Sequence, residues 1–167
     1  EEIKANVWAE LDRGRAIPET LDQLNYYWQS HVPMIKNQWE NLFKKFKVGS
    51  YAGDAEIIDY GCRDGLASLL FLDNFYWDFK NGISKIKLIE PSSLAIQRAR
   101  TVLKCYSPNT QIIDINKKLD DLETKDLETD KNLWKIHLFS NILDIDGFDI
   151  AKLFNRVIKN KGHHTFL

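Results

Sequence analysis

Residues Ile57 to Gly65 read "IIDYGCRDG". Two β-branched apolar residues run into an acid, and glycines follow at Gly61 and Gly65. A strand that ends in an acid and breaks into a glycine turn opens the nucleotide-binding loop of many α/β proteins. Glycine permits tight turns and lets a ligand approach the backbone closely. A helix starting near Leu66 would present unpaired N–H groups to that ligand. An ordinary strand-to-helix turn can have the same spelling, so the flanking sequence has to separate the two readings.

Downstream, short apolar runs alternate with helix-length segments. "AEIIDY", "KIKLIE", "TQIIDI", "WKIHLFSNI" and "HHTFL" read as five strands. Between them, "LASLLFLDNFYWDF", "SLAIQRARTVLKCY" and "DIAKLFNRVIKN" read as helices. In the second helix, Leu94, Ala95, Ala99, Val102 and Leu103 share one side. Crossovers of this length imply an α/β fold: a doubly wound, mostly parallel sheet covered on both faces, with order 3-2-1-4-5. The charged run from Lys117 to Lys131 reads as a solvated loop or exposed helix.

The pattern changes near residue 50. Residues 1–50 read as an N-terminal helical extension, and 51–167 as the α/β domain. Within the extension, Leu21, Leu24, Trp28, Ile35, Trp39, Leu42, Phe43 and Phe46 recur at roughly helical spacing. Pro33 interrupts them and predicts two helices or one kinked helix. Pro18 and Glu19 suit a helix start, with Thr20 or Glu19 near the cap. "KVGSYAGDA" reads as the loop that follows.

Length and charge narrow the classes. A chain of 167 residues fits one domain with a real core. A formal net charge of −1 does not call for nucleic acid or an anionic membrane. Cys62 and Cys105 lie far apart and make no zinc spacing with the four histidines. Two such thiols suggest a reducing compartment, and the expected location is cytoplasmic. No apolar run is long enough for a transmembrane helix. The chain begins Glu-Glu, with no signal peptide, as a processed or trimmed product would.

The motif at residues 57–65 is neither of two common phosphate loops. The dinucleotide fingerprint needs a glycine where Arg63 stands. A P-loop needs Gly-Lys-Ser/Thr, which does not follow. Instead, D-Y-G-C-R-D-G resembles D-x-G-C-G-x-G, the first motif of class I S-adenosylmethionine-dependent methyltransferases. "KLIEPSSLAIQRAR" resembles their next motif, in which the acid at the second strand's tip takes the ribose hydroxyls, a chemistry shared with dinucleotide folds. Glu90 holds that place. "QIIDIN" resembles the third strand, whose terminal acid receives the adenine amino group; here Asn116 stands there, with Asp114 competing. "HLFSNILDI" resembles the fourth strand, and "RVIKNKGHHTFL" the turn into the fifth. The resemblance covers about Glu56 to Leu167; it implies that 51–167 is a Rossmann-like cofactor-binding domain, incomplete at the C-terminus, with S-adenosylmethionine as cofactor. It places Asp59, Gly61, Cys62, Gly65, Glu90, Asn116 and Ser140 in the cofactor site and names no catalytic residue. N-terminal helices in this family often cap the cofactor or shape the acceptor pocket.

Three departures bear on function. Arg63 replaces the central glycine of the first motif, where backbone lies against the cofactor, and predicts weak affinity. The fourth strand ends Ser140-Asn141-Ile142-Leu143, without the Asn/Asp-Pro-Pro-aromatic motif of amino-methylating nucleic-acid enzymes. A Pro-Cys nucleophile for cytosine methylation is also missing, so a small-molecule or protein acceptor is favoured over a nucleic-acid base. Finally, the sequence stops at the fifth strand, whereas the family's sheet adds two more. The apolar edge left there is expected to be covered by a C-terminal segment or another chain.

The remaining candidates have plainer readings. Adjacent His163 and His164 face opposite sides of a strand and read as structural or surface residues, not as a metal pair. Tyr26, Tyr27, Trp28 and Trp39 read as core or docking aromatics before an acceptor pocket, with His31 beside them as a lesser candidate base. Cys62 reads as a packing residue. Two functions compete: a methyltransferase, and a methyltransferase-like binding or scaffold module without catalysis. The absent G-x-G-x-x-G disfavours a dehydrogenase.

Overall fold

All six residues of β1 (Ala55–Tyr60) are buried, as a strand covered on both faces requires. It pairs in parallel with β2 (Ile83–Ile89) on one side and with β4 (Trp134–Phe139) on the other. β3 (Gln111–Ile115) extends the sheet beyond β2, and β5 (His164–Phe166) extends it beyond β4. The order is β3-β2-β1-β4-β5, all parallel, as the alternation of the sequence predicts. This computed structural model describes residues 7, 9–12, 15–48, 53–79, 82–143 and 148–167.

The crossovers are α2 (Leu66–Phe75), α3 (Ser93–Tyr106) and α4 (Ile150–Val157). Chain direction away from β1 reverses between β2 and β4, and this switch point fixes where a crevice opens at the strand tips.

A 23-residue helix, α1 (Leu21–Phe43), precedes the sheet. Thr20 caps it in a capping box: Thr20 Oγ1 accepts from Gln23 N at 3.2 Å, and Gln23 Oε1 accepts from Thr20 N at 3.3 Å. The helix continues through Pro33 as one element. Proline there removes a bond to the Gln29 carbonyl, and both residues are exposed, so water can serve that carbonyl. Ile35, Trp39 and Phe43, spaced by four, join the same core as β1 and α2. The Phe43 ring meets Phe75 edge-on at 4.9 Å, and Phe46 meets Phe75 at 5.2 Å. The described part of "KVGSYAGDA" is irregular up to Ala55; residues 49–52 lie outside the described part.

The second face of the sheet corrects one expectation. Residues 117–131 are not simply a solvated face: Leu122 and Leu127 are buried against Ile58, Tyr60 and Ile89. The segment forms two short 3-10 turns, Leu119–Asp121 and Thr124–Leu127, instead of a helix. Its carbonyls therefore need outside donors. Lys87 Nζ donates to the carbonyls of Asp126 (3.1 Å) and Glu128. Arg156 donates to the Leu122 carbonyl, and Asn160 to that of Leu127.

Candidate functional site

The loop after β1 makes three left-handed steps: Gly61 at φ +62°, Arg63 at φ +47° and Gly65 at φ +75°. Cys62 N donates to the Ile89 carbonyl at 3.0 Å, which carries the β1–β2 ladder past the strand end. Gly65 then serves as N-cap of α2. Both glycines are required by packing as well as by φ. A Cβ on Gly61 would come 2.7 Å from Ile142 Cγ2, and one on Gly65 would come 3.0 Å from Ala99 Cβ. At position 63 a non-glycine residue accepts the left-handed conformation, at a cost of about 1–2 kcal/mol.

Gly65 has no side chain to cap α2, and Asp59 takes over that task. Asp59 Oδ2 accepts from Ser68 N at 3.3 Å and from Ser68 Oγ at 2.6 Å. Asp59 is wholly buried, and burial pushes its carboxyl up to about 7 against the opposing Ser68 hydrogen bonds. It lines neither of the two cavities at the strand tips.

Glu90 lies at the tip of β2, only 2% exposed. Its Oε1 accepts from Ser92 N at 2.9 Å, and its Oε2 from Arg63 N at 3.1 Å. Each oxygen keeps a second lone pair. Burial raises the carboxyl above its usual range, opposed by the Arg63 charge and the two backbone N–H groups. With Gly61, Arg63, Ile17, Leu119 and Ile142, Glu90 lines a cavity of about 160 Å³.

A smaller cavity of about 20 Å³ adjoins it, sharing Gly61 and Arg63. Tyr27, Trp28, Cys62, Asp64 and Ser140 are among its walls. Asp64 is 2% exposed, and neither carboxylate oxygen has a hydrogen-bond partner. Arg98 Nε stands 3.9 Å from it, and Arg63 is a second, more distant counter-charge. Burial pushes its carboxyl up to about 6 despite Arg98 and Arg63. Sequence reading passed over Asp64, because an acid inside a loop motif looks solvated until the cover above it is known.

That cover is the N-terminal segment. Arg63 Nη1 donates to the Ala16 carbonyl at 2.8 Å, and the guanidinium stands 5.1 Å over the Tyr27 ring. Ser92 Oγ donates to the Pro18 carbonyl at 2.6 Å. Further along, Trp39 Nε1 donates to Ser140 Oγ at 3.1 Å. Arg63 points neither to solvent nor straight into the larger cavity; it straps the chain at residues 15–18 across the strand tips.

The remaining sequence candidates fall elsewhere. Asn116 spends its side-chain N–H groups on the carbonyls of Glu90 (2.8 Å) and Pro91 (2.9 Å), buttressing the β2 tip without lining either cavity. Asp114 is paired with Arg100 at 2.6 Å. Cys62 is buried with its thiol pushed up, as a packing residue would be. His31 stacks on Tyr27 at 4.5 Å. His164 Nδ1 lies 2.9 Å from His137 Nε2, and His137 Nδ1 lies 3.1 Å from the Tyr60 hydroxyl. His164 Nε2 meets the Asn160 carbonyl, which can only accept. In the tautomers where each ring carries one proton, His164 Nε2–H, His137 Nε2–H and Tyr60 O–H donate in turn. These contacts form an internal strut between β1, β4 and β5, and no cluster of three metal-ligating side chains occurs among the described residues.

No family model matches the chain, and no curated protein does. Solved structures do match. One is a protein of Methanococcus maripaludis assigned as an S-adenosyl-L-methionine-dependent methyltransferase, at 13% identity and TM-score 0.54, covering 90% of this chain and 67% of that one. The fold is that of the class I S-adenosylmethionine-dependent methyltransferases. A methyltransferase of Leishmania major matches at 14% identity and TM-score 0.53, over 99% of this chain and 59% of its own. Geranyl diphosphate C-methyltransferase of Streptomyces coelicolor, in complex with S-adenosyl-L-homocysteine, matches at 12% identity and TM-score 0.53, over 89% and 51%. The chain thus spans between two thirds and one half of the length of these structures. Among the described residues, no helix is long and apolar enough to cross a membrane.

Proposed function

We propose that this chain binds S-adenosylmethionine at the strand tips and serves methyl transfer to a small-molecule or protein acceptor. The observation that carries the reading is the pair of buried carboxylates, Glu90 and Asp64, with unspent acceptor capacity in adjoining cavities at the switch point. Burying a carboxylate with acceptor capacity unfilled costs free energy, and a ligand that supplies donors relieves part of that cost. The cofactor offers the matching groups: ribose hydroxyls for Glu90 and a cationic amino-acid end for Asp64. When bound, it supplies a sulfonium-activated methyl group.

The chain's own part is to position and to exclude water. Glu90 is held by the N–H groups of Ser92 and Arg63, so its free lone pairs point where the ribose would lie. Tyr27 and Trp28 wall the smaller cavity, and the strap at residues 15–18 closes the larger. At about 160 Å³ the larger cavity falls below the ~300 Å³ of typical ligand sites. Entry of a whole cofactor therefore displaces the strap.

Calorimetry with S-adenosylmethionine and S-adenosylhomocysteine tests the reading. Binding is expected, and Glu90→Ala is expected to weaken it roughly tenfold or more, since a hydrogen bond to a charged acceptor contributes about 1.5–3 kcal/mol. A Glu90→Ala protein that binds as tightly as the parent would refute the ribose assignment. Absence of binding by the parent would leave the fold without this function.

A further inference from the structure

At the opposite end of the sheet, where β2 and β3 begin, lies a cavity of about 270 Å³, larger than either cavity at the strand tips. Its walls are Tyr76, Trp77, Tyr106, Ser107, Pro108 and Asn109. Tyr76 is the C-cap of α2 and Ser107 the C-cap of α3, so two helices end at its rim. The Tyr76 and Trp77 rings stand at 86° to one another with centroids 5.0 Å apart. Gly82 makes room for the Tyr76 ring: a Cβ there would sit 3.2 Å from it.

Trp77 is 90% exposed and Tyr106 46%. Leaving an indole in water forfeits a large apolar burial, so the folded chain gains little from its presence there. A ligand would recover that burial.

The electrostatics select the ligand's charge. Helix C-termini carry partial negative charge, and aromatic faces are negative as well. Tyr106 OH donates to Asp73 Oδ1 at 3.0 Å, which places a carboxylate at the far end of that ring. No lysine or arginine is among the described lining residues. The nearby Lys104 ammonium is engaged by the carbonyls of Pro108 (3.1 Å) and Thr110 (2.6 Å), and it offsets only the end of α3. A hard metal ion would need several oxygen ligands including carboxylates, whereas three of the six described lining residues are aromatic and none is a carboxylate. Aromatic walls favour a weakly hydrated organic cation.

We propose that this cavity binds the methylated ammonium group of a small molecule, at a site separate from the strand tips. The ligand's positive face meets the Trp77 and tyrosine rings, and Asp73 supplies the counter-charge. The inference does not depend on the methyl-transfer reading.

The test is calorimetry of the whole chain with tetramethylammonium and choline, against the uncharged isostere 3,3-dimethylbutanol. Both cations are expected to bind, and the isostere at least about threefold more weakly. Trp77→Ala, at an exposed position, is expected to leave folding by circular dichroism unchanged and to weaken choline binding roughly 3- to 30-fold. Trp77→Phe should fall between, because it keeps a ring face. Tyr106→Phe keeps the ring but frees Asp73, and should change affinity less than Trp77→Ala does. Equal binding of the isostere would mean an apolar groove, and would overturn the proposal. So would choline binding that survives Trp77→Ala, or no binding by the parent.

Discussion

At the strand tips, Asp64 and Glu90 are buried with acceptor capacity left over. On the face beneath residues 117–131, Glu56, Lys87 and Lys135 are buried just as deeply, but there each cation is engaged. Lys87 Nζ reaches two loop carbonyls and stands 3.8 Å from Glu56 Oε1; Lys135 Nζ donates to the Lys161 carbonyl at 2.7 Å. Burial raises the Glu56 carboxyl, opposed chiefly by Lys87, and lowers the Lys87 ammonium, opposed chiefly by Glu56. Neither Glu56 oxygen has a hydrogen-bond partner either, but Glu56 lines neither strand-tip cavity, whereas Glu90 and Asp64 do. Buried charge alone does not mark a site, and neither does an unfilled acceptor. What marks it is a buried acceptor with spare capacity that borders a cavity.

The contrast breaks most visibly at Lys87. Lys87→Met removes the cation beside Glu56 and the donor to two carbonyls, and is expected to cost about 3–5 kcal/mol of stability. Urea unfolding reads this as a lower midpoint at unchanged slope. The double variant Lys87→Met/Glu56→Gln should recover much of the loss. If Lys87→Met alone is nearly neutral, the polar layer is not held by charge pairing.

Asp59 and His137 give the next largest effect, through pH. The Asp59 carboxyl rises from 3.8 to about 7 on folding, so between those values the folded chain holds a proton that the unfolded chain lacks. Stability from Asp59 is therefore present at low pH and lost as pH rises towards 7. His137 falls from 6.5 to about 3, chiefly by burial and then by His164 and Lys135. Its contribution is present above pH 6.5 and lost as pH falls towards 3. The two slopes, each about 1.4 kcal/mol per pH unit, oppose one another across the overlap. Asp59→Asn keeps an acceptor for Ser68 and removes one slope. Its stability relative to the parent should rise by about 3–4 kcal/mol from pH 4 to 7. A flat difference curve would mean that Asp59 is ionised in the folded chain throughout.

Legibility followed the same division. The strands and their order could be read because β1, β2 and β4 are apolar runs of strand length separated by helix-length crossovers. Glu90 could be read because an acid before Pro91 ends a strand at a predictable place. The direction an acid turns could not: Asp59 and Glu90 end neighbouring strands, yet one caps α2 and the other faces a cavity. The sequence implies cover on both faces of the sheet but does not say with what: Lys87 is buried because residues 117–131 carry Leu122 and Leu127 among their charges. Asp64 escaped notice for the same reason. Its burial depends on a strap more than forty residues away in sequence.

Arg63→Gly sharpens the comparison from the side of that strap. Glycine relieves about 1–2 kcal/mol of left-handed strain. It also removes the bond to the Ala16 carbonyl and the stacking on Tyr27, each worth about 0.5–1.5 kcal/mol. Net stability should move by no more than about 1 kcal/mol, while proteolysis within residues 15–18 becomes several-fold faster. Cofactor affinity should rise modestly, since less strap has to be displaced. Unchanged proteolysis would mean that Ser92 and Trp39 hold the cover without Arg63.

The last effect belongs to Asp64, and it is read in ligand affinity rather than in stability. Its carboxyl stands at about 6, so it is largely neutral at pH 5 and largely charged at pH 7. A cationic ligand group near it would favour the charged form and bind better as that form becomes populated. Affinity for S-adenosylmethionine should therefore rise up to about tenfold from pH 5 to 7, equivalent to about 1.4 kcal/mol. Glu90 also titrates above its usual range, so the parent's profile alone does not separate the two acids. Asp64→Asn does. It keeps the size of the side chain and removes the charge, and it should flatten the part of the profile centred near pH 6 while leaving the Glu90→Ala penalty in place. Should Asp64→Asn follow the parent at every pH, the ligand's cationic end lies elsewhere, and the carboxylate is balanced by Arg98 and Arg63 without it.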